Sequence, residues 1–223
     1  MHRQPPFERR AAIQELRRLY AETREAIVQR LSEFKHTWSG GDEQDVFAEL
    51  VFCILTPQAK ARSCWAIVEN LLKKDLLFKG DEIQLARELH PSRFKRKKAK
   101  YIVKARDQFA SNGQILIKPR IDEFDEVHCL REWLVENVKG IGYKEASHFL
   151  RNIGFGEELA ILDRHILKSL EWLEVLERIP THLTRRRYFE VERMMGQFAE
   201  KVDIPISHLD LLLWYTQTHE VFK

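Results

Sequence analysis

The sequence predicts an all-helical fold, and three observations carry that expectation. Apolar residues recur at spacings of three, four and seven through most of the chain, no segment alternates apolar and polar residues over a strand's length, and caps and breakers punctuate the periodic stretches. The first element places Leu16, Leu19, Tyr20, Ile27, Leu31 and Phe34 on one face with charges between them. Gly40 and Gly41 end it, and Asp42 can cap a second helix carrying Val46, Phe47, Leu50, Val51, Ile54 and Leu55. Thr56-Pro57-Gln58 breaks that helix. Further helices are expected over residues 60–72, 82–89 and 95–109, the last stopped by Ser111-Asn112-Gly113 and followed by a linker with Pro119. From Asp122 the period resumes in Leu130, Trp133 and Leu134, pauses at Gly140-Ile141-Gly142, and resumes in Ala146, Phe149, Leu150 and Ile153, which predicts a helical hairpin. Helices over 161–172 and 183–201 follow, then one after Pro205 with Leu209, Leu212, Leu213 and Trp214, proline suiting a helix's first turn. There are no internal repeats or low-complexity tracts.

A chain of 223 residues with 44% hydrophobic content can bury a core as one domain or as two small domains sharing a cleft. Its 37 Lys and Arg against 34 Asp and Glu leave a net charge of only +3, so a nucleic-acid surface must come from local clustering. Cys53, Cys64 and Cys129 are odd in number, widely spaced and set among helical apolar residues, which predicts reduced, mostly buried thiols and an intracellular protein. No apolar run approaches the roughly 20 residues that cross a bilayer. The first ten residues carry charges and prolines without a secretion signal's apolar core, so neither secretion nor membrane insertion is expected.

The segment Val138-Lys139-Gly140-Ile141-Gly142-Tyr143-Lys144 joins two amphipathic helices through a turn whose glycines permit unusual dihedrals and close approach of a ligand. Free amides and the positive dipole end at the next helix's N-terminus would bind a phosphate without reading sequence. An ordinary tight turn fits a bare G-x-G equally well. Lys144 falls in the first turn of its helix, where the dipole favours a neutral, nucleophilic amine. Asp163, between Ile161-Leu162 and Ile166-Leu167, fits a helix N-cap.

The string from Val138 to Lys144, then Ala146, together with Leu162-Asp163-Arg164-His165-Ile166, resembles the helix-hairpin-helix superfamily of DNA glycosylases. The resemblance implies an all-α helix-hairpin-helix glycosylase fold, with two helical subdomains flanking an active-site cleft. Residues 42–154 would form the central subdomain ending in the hairpin, and residues 1–41 and 155–223 the second. It implies catalytic roles for Lys144 as nucleophile and Asp163 as an acidic partner stabilising an oxocarbenium-like sugar. Lys139, Gly140 and Gly142 would hold DNA. His165 matches a position that touches the DNA backbone, and a capping or packing histidine fits as well.

Arg93-Phe94-Lys95-Arg96-Lys97-Lys98, with Lys100, Lys104 and Arg106, is the densest positive region, and Arg185-Arg186-Arg187 is a second; either a solvated face or a DNA surface fits such runs. Acting on a base within a duplex requires flipping it out, helped by stacking aromatics and a gap-filling side chain. Gln58 matches the gap-filling position of related glycosylases, and a turn residue bonding locally fits it too. The last stretch, Leu209 to Lys223, resembles the C-terminus of the type 2, mainly archaeal, 8-oxoguanine DNA glycosylases, and with the hairpin and Arg93-Phe94 the resemblance spans most of the chain. In that family a terminal lysine helps read the base and two aromatics sandwich it; here these are Lys223, Phe94 and Trp214, which would otherwise be a charged end and core aromatics. Where the family usually has Thr-Gly, this chain has Thr218-His219, which puts the path of the terminal segment in question.

The resemblance thus implies a bifunctional glycosylase/lyase that excises 8-oxoguanine from double-stranded DNA, as a cytoplasmic monomer with no membrane partner. No cofactor is required, and an alkali cation at the hairpin is implied by the family alone. Two rivals stand beside it. An endonuclease III type shares the lysine and aspartate but removes oxidised pyrimidines and usually carries an iron-sulfur centre held by four clustered cysteines, which three scattered cysteines cannot build. A non-catalytic hairpin module would bind DNA without chemistry.

Overall fold

The helical period appears as twelve helices among residues 6–90 and 92–223, which the computed structural model describes. Residues 1–5, part of the start weighed for a secretion signal, lie outside the described residues. Two compact units divide the chain, one made of residues 1–34 and 156–223 and the other of residues 35–155. The first boundary falls inside α1 (Pro6–Ser39) rather than at the Gly40-Gly41 pair. Packing accounts for the difference: Gly154 lies so close to Lys35 that a Cβ there would come within 2.8 Å of the Lys35 Cα, and the Trp38 ring meets Phe155 edge-on at 5.0 Å.

In the unit of residues 35–155 the core element is α2 (Glu43–Leu55), buried without a break from Val46 to Leu55. Asp42 caps it by accepting from the amides of Gln44 and Asp45, while Asp45 returns a bond to the Asp42 amide. Glu49, buried on α2, accepts from Asn152 Nδ2 at 2.9 Å, so this charge is not left without a donor. The unit continues with α3 (Ala61–Lys73), α4 (Leu76–Lys79), α5 (Glu82–Glu88) and α6 (Lys95–Phe109), then α7 (Lys118–Ile121), α8 (Val127–Asn137) and α9 (Tyr143–Asn152). α2 packs against α3, α6 and α9.

Two local features depart from the all-helical expectation. Ser111-Asn112-Gly113 is not a simple helix stop: β1 (Ala110–Ser111) pairs antiparallel with β2 (Gln114–Ile115) across Asn112 and Gly113, at φ 51° and 77°. Positive φ at both central residues suits the right-handed twist of a tight hairpin, and Asn-Gly supplies it. The expected linker at Pro119 is the one-turn α7, with proline in its first turn.

The other unit contains α1 up to Phe34, α10 (Arg164–Trp172), α11 (Arg185–Val202) and α12 (Ile206–Thr218). Ala12, Leu16, Thr23, Ile27 and Phe34 form the buried stripe of α1, at steps of four and seven, and Tyr20 bonds His208 Nδ1 at 2.9 Å. The helix expected from residue 161 starts at Arg164 instead, because residues 159–162 are a buried non-helical segment. Their amides find side chains: Ala160 donates to Glu192 Oε1 at 2.9 Å, and Ile161 to Asp210 Oδ1 and Leu162 to the Tyr188 hydroxyl at 3.4 Å each. Those bonds satisfy buried backbone amides that the non-helical segment leaves without main-chain partners.

Cys53 and Cys64 are buried, whereas Cys129 is exposed on α8 on the face turned from Leu130 and Leu134. All three are free thiols. No helix among the described residues is long and apolar enough to cross a membrane.

Candidate active site

The turn between α8 and α9 is anchored by two apolar side chains, Val138 and Ile141, both buried. Gly140 sits at φ +94°, and a Cβ there would lie 2.4 Å from Cδ2 of Tyr101, so glycine is required for conformation and for space. Gly142 differs: its φ is −107°, and an added Cβ would meet only the tip of Glu145 at 3.1 Å. Gly140→Ala is therefore expected to destabilise the protein by about 1–3 kcal/mol, and Gly142→Ala by clearly less. Urea denaturation of the two variants checks this; equal losses would contradict the distinction.

Glu145 accepts from the Gly142 amide at 3.2 Å, and Ile141 donates to the Val138 carbonyl at 3.3 Å. A phosphate arriving at this turn would have to compete with Glu145 for the Gly142 amide. Tyr143 ties the start of α9 to α8 by donating to Glu132 Oε2 at 2.7 Å. Lys139 is exposed beside the turn.

Lys144, the second residue of α9, is partly buried, with its side chain 22% exposed. Its Nζ donates to Thr56 Oγ1 at 3.2 Å and lies 3.9 Å from Glu145 Oε1. The Thr56 hydroxyl in turn donates to the Cys53 carbonyl at 2.9 Å, so its oxygen is oriented to accept. Burial pushes the Cys53 thiol well above the usual range, with Glu49 adding to it, and burial pushes Cys64 up as well. Both therefore stay protonated and are poor nucleophiles. Thr56 had no signal in the sequence beyond its place before Pro57.

Gln58, two residues on, is exposed and held at φ 55°. Phe94 is 56% exposed at φ 57° and serves as the N-cap position of α6, with the Arg93 guanidinium over its ring at 5.7 Å. Non-glycine residues in the left-handed region are uncommon and strained, and such strain clusters at functional sites.

The basic run does not form one surface. Arg93, Arg96, Lys97, Lys100 and Lys104 are exposed, Lys97 lying over the Tyr101 ring at 5.7 Å. Arg106 donates to the Gly80 carbonyl, and Lys98 is buried with only 4% exposure, its Nζ bonded inside the protein. Lys98 thus leaves the group of residues expected either to face DNA or to be solvated, because its place in the helix turns it inward with Ile102 and Ala105. In the second run, Arg185 covers the Phe189 ring at 5.3 Å and Arg187 pairs with Glu190 at 2.8 Å.

In the unit that contains α10, Asp163 is the N-cap residue, and its Oδ1 accepts from the amides of His165 at 2.7 Å and Ile166 at 2.8 Å. Both capping bonds fall on one oxygen, so capping does not require the other. His165 is exposed, and its ring meets Trp214 edge-on at 5.1 Å. Trp214 and Lys223 are partly buried. His219 takes the conformation usual for glycine: at φ 57° it closes α12, its amide donating to the Tyr215 carbonyl at 2.8 Å and its ring resting edge-on against Tyr215. Thr218 Oγ1 adds a bond to the Trp214 carbonyl at 3.0 Å. Lys144, Gln58, Phe94 and the hairpin belong to one unit, and Asp163, His165, Trp214 and Lys223 to the other.

Comparison with known proteins bears on the whole chain. The family described as 8-oxoguanine DNA glycosylase matches residues 27–204. An 8-oxoguanine DNA glycosylase/AP lyase of Fusobacterium nucleatum is 46% identical, covering 94% of this chain and 96% of the relative. One of Methanocaldococcus jannaschii is 39% identical over 91% of this chain and 94% of its own length. Among solved structures, the M. jannaschii 8-oxoguanine glycosylase/lyase in complex with a 15-mer DNA containing 8-oxoguanine superposes with a TM-score of 0.85 at 37% identity, covering 95% of this chain and 99% of that one. The 8-oxoguanine DNA glycosylase of Thermotoga maritima gives a TM-score of 0.85 at 33% identity, covering 96% and 100%.

Proposed function

The chain belongs to the 8-oxoguanine DNA glycosylase family, and from that premise we propose that it is a bifunctional DNA glycosylase/AP lyase excising 8-oxoguanine from duplex DNA in base excision repair. The observation that carries this reading is the placement of Lys144, whose amine lies at the start of the helix after the hairpin and rests on Thr56 beside the turn that presents Gln58.

In this mechanism the neutral Lys144 amine attacks the sugar C1′, and the glycosidic electron pair leaves with the base. The nitrogen loses its proton, the sugar ring opens, and a Schiff base links protein and DNA. β-Elimination then breaks the 3′ C–O bond, and water hydrolyses the imine to free the enzyme. Asp163 stabilises the positive charge that develops at the sugar, using the oxygen that capping does not need. Lys139, Gly140 and Gly142 hold the DNA backbone with His165, while Gln58 fills the gap left by the flipped base.

The protein acts as a cytoplasmic monomer with no membrane partner, and the chemistry requires no cofactor. An alkali cation at the hairpin would take oxygen donors, the carbonyls around Gly140, and would add positive charge for a phosphate without entering the reaction. Strand cleavage of a duplex containing 8-oxoguanine, compared with one containing an oxidised pyrimidine, tests the function. Binding without cleavage of either would indicate a non-catalytic module, and preference for the pyrimidine would indicate the endonuclease III type.

Base choice rests on Phe94, Trp214 and Lys223, the last offering an ammonium and the terminal carboxylate to a base edge. Deleting Lys223, or replacing Trp214 with alanine, is expected to lower 8-oxoguanine excision while sparing lyase activity at a preformed abasic site, which has no base to read. For Trp214→Ala the loss should be about 1–3 kcal/mol, roughly 5- to 150-fold. Equal loss of both activities would assign these residues to the fold.

A further inference from the structure

Lys98 lies in a run of basic residues, yet its side chain is buried on the inner face of α6 with Ala99, Ile102, Ala105 and Phe109. Its Nζ donates to the Leu55 carbonyl at 2.7 Å, the Pro57 carbonyl at 2.9 Å and Ser92 Oγ at 3.1 Å. An ammonium has three donors, and these three acceptors use all of them. Two are carbonyls, which can only accept, and the Ser92 hydroxyl directs its own hydrogen to the Arg93 carbonyl at 3.3 Å, so all three contacts call for an N–H donor and favour the charged form, while burial pulls this lysine below its ordinary range.

The three acceptors lie on two of the segments that carry an exposed non-glycine residue at positive φ. Leu55 and Pro57 flank Thr56, on which the Lys144 amine rests, and the Pro57 carbonyl belongs to the peptide that leads into Gln58 at φ 55°. Ser92 lies two residues before Phe94 at φ 57°, and Lys98's own amide donates to the Phe94 carbonyl at 3.0 Å. Cys64 Sγ adds a second bond to the Leu55 carbonyl at 3.3 Å. Left-handed conformations of bulky residues persist only where surrounding bonds fix them.

We propose that Lys98 is a positioning residue, a buried ammonium that fixes the 55–58 turn and the 92–94 segment so that Thr56 holds the Lys144 amine and Gln58 and Phe94 are presented in their strained conformations. This rests on the glycosylase reading above. Lys98 touches neither DNA nor the reacting atoms, which separates it from the exposed lysines of its run.

The test is a double-mutant cycle on single-turnover formation of the Schiff base at saturating protein, with Lys98→Met and Thr56→Val. Lys98→Met alone is expected to slow that step on the order of 10- to 100-fold, the scale of a small misplacement of reacting groups. Its binding to undamaged duplex should keep the parent's salt slope, since this ammonium faces carbonyls rather than phosphates. With Thr56→Val already present, Lys98→Met should cost much less, because both act through the same hydroxyl. Multiplicative effects would overturn the proposal, as would a salt slope shallower by about one with the saturated rate unchanged. If Lys98→Met loses the parent's helical circular dichroism, Ser92→Ala takes its place in the cycle. It removes one acceptor, and it should slow the step about threefold in a way that Thr56→Val masks; no slowing, or multiplicative slowing, would overturn the proposal. The parent is assayed alongside. An inactive parent refutes the glycosylase reading and this inference with it, whereas an active parent with multiplicative effects refutes the role of Lys98 alone.

Discussion

Replacing Lys144 with glutamine is expected to reduce single-turnover excision of 8-oxoguanine by about three orders of magnitude or more, with affinity for the damaged duplex changed little. Glutamine is shorter by one atom and can still donate to Thr56, which lies 3.2 Å from the lysine Nζ in the parent. Its nitrogen lone pair is delocalised into the carbonyl, so it cannot attack a sugar carbon. The change therefore removes nucleophilicity while keeping polarity at the start of α9. A variant that excises within tenfold of the parent would mean that water or another amine attacks C1′.

Asp163→Asn is expected to lower the same rate on the order of 100- to 1000-fold, the scale of losing one well-placed electrostatic group in a transition state. The substitution separates charge from capping. Asparagine caps helices about as well as aspartate, and its carbonyl oxygen can replace the Oδ1 that accepts from His165 and Ile166. Thermal stability should thus hold while chemistry falls. Full activity in Asp163→Asn, with stability and activity lost together only when alanine takes the place, would assign Asp163 to the cap alone.

What was legible in the sequence was local. The hairpin, the cap at Asp163 and the amphipathic helices are written in residues within a turn or two of each other, and the Asp42 cap appears as read. The β1–β2 pairing escaped because strands of two residues cannot show a period, although Asn-Gly announces the turn between them. The start of α10 was placed too early because Leu159-Ala160-Ile161-Leu162 has the composition of a helix. What holds this buried, non-helical segment in place is distant in sequence: its amides donate to Glu192, Asp210 and Tyr188, 26 to 49 residues away. Lys98 had a signal that a count of charges hides: it precedes Ile102 by four and Ala105 by seven, the phase of the buried face of α6. The run is basic by composition, and the helical phase decides which of its lysines turns inward.

The identity of the attacking amine is the central claim, and reductive trapping followed by peptide mapping tests it most directly. The protein is incubated with a duplex containing 8-oxoguanine in the presence of borohydride, which reduces the Schiff base to a stable secondary amine. The adduct is then digested and its modified lysine located by mass spectrometry. The mechanism predicts that the sugar remnant is found on the peptide containing Lys144. A remnant on Lys98, Lys139 or any other amine, or strand cleavage without a trapped adduct, would contradict it.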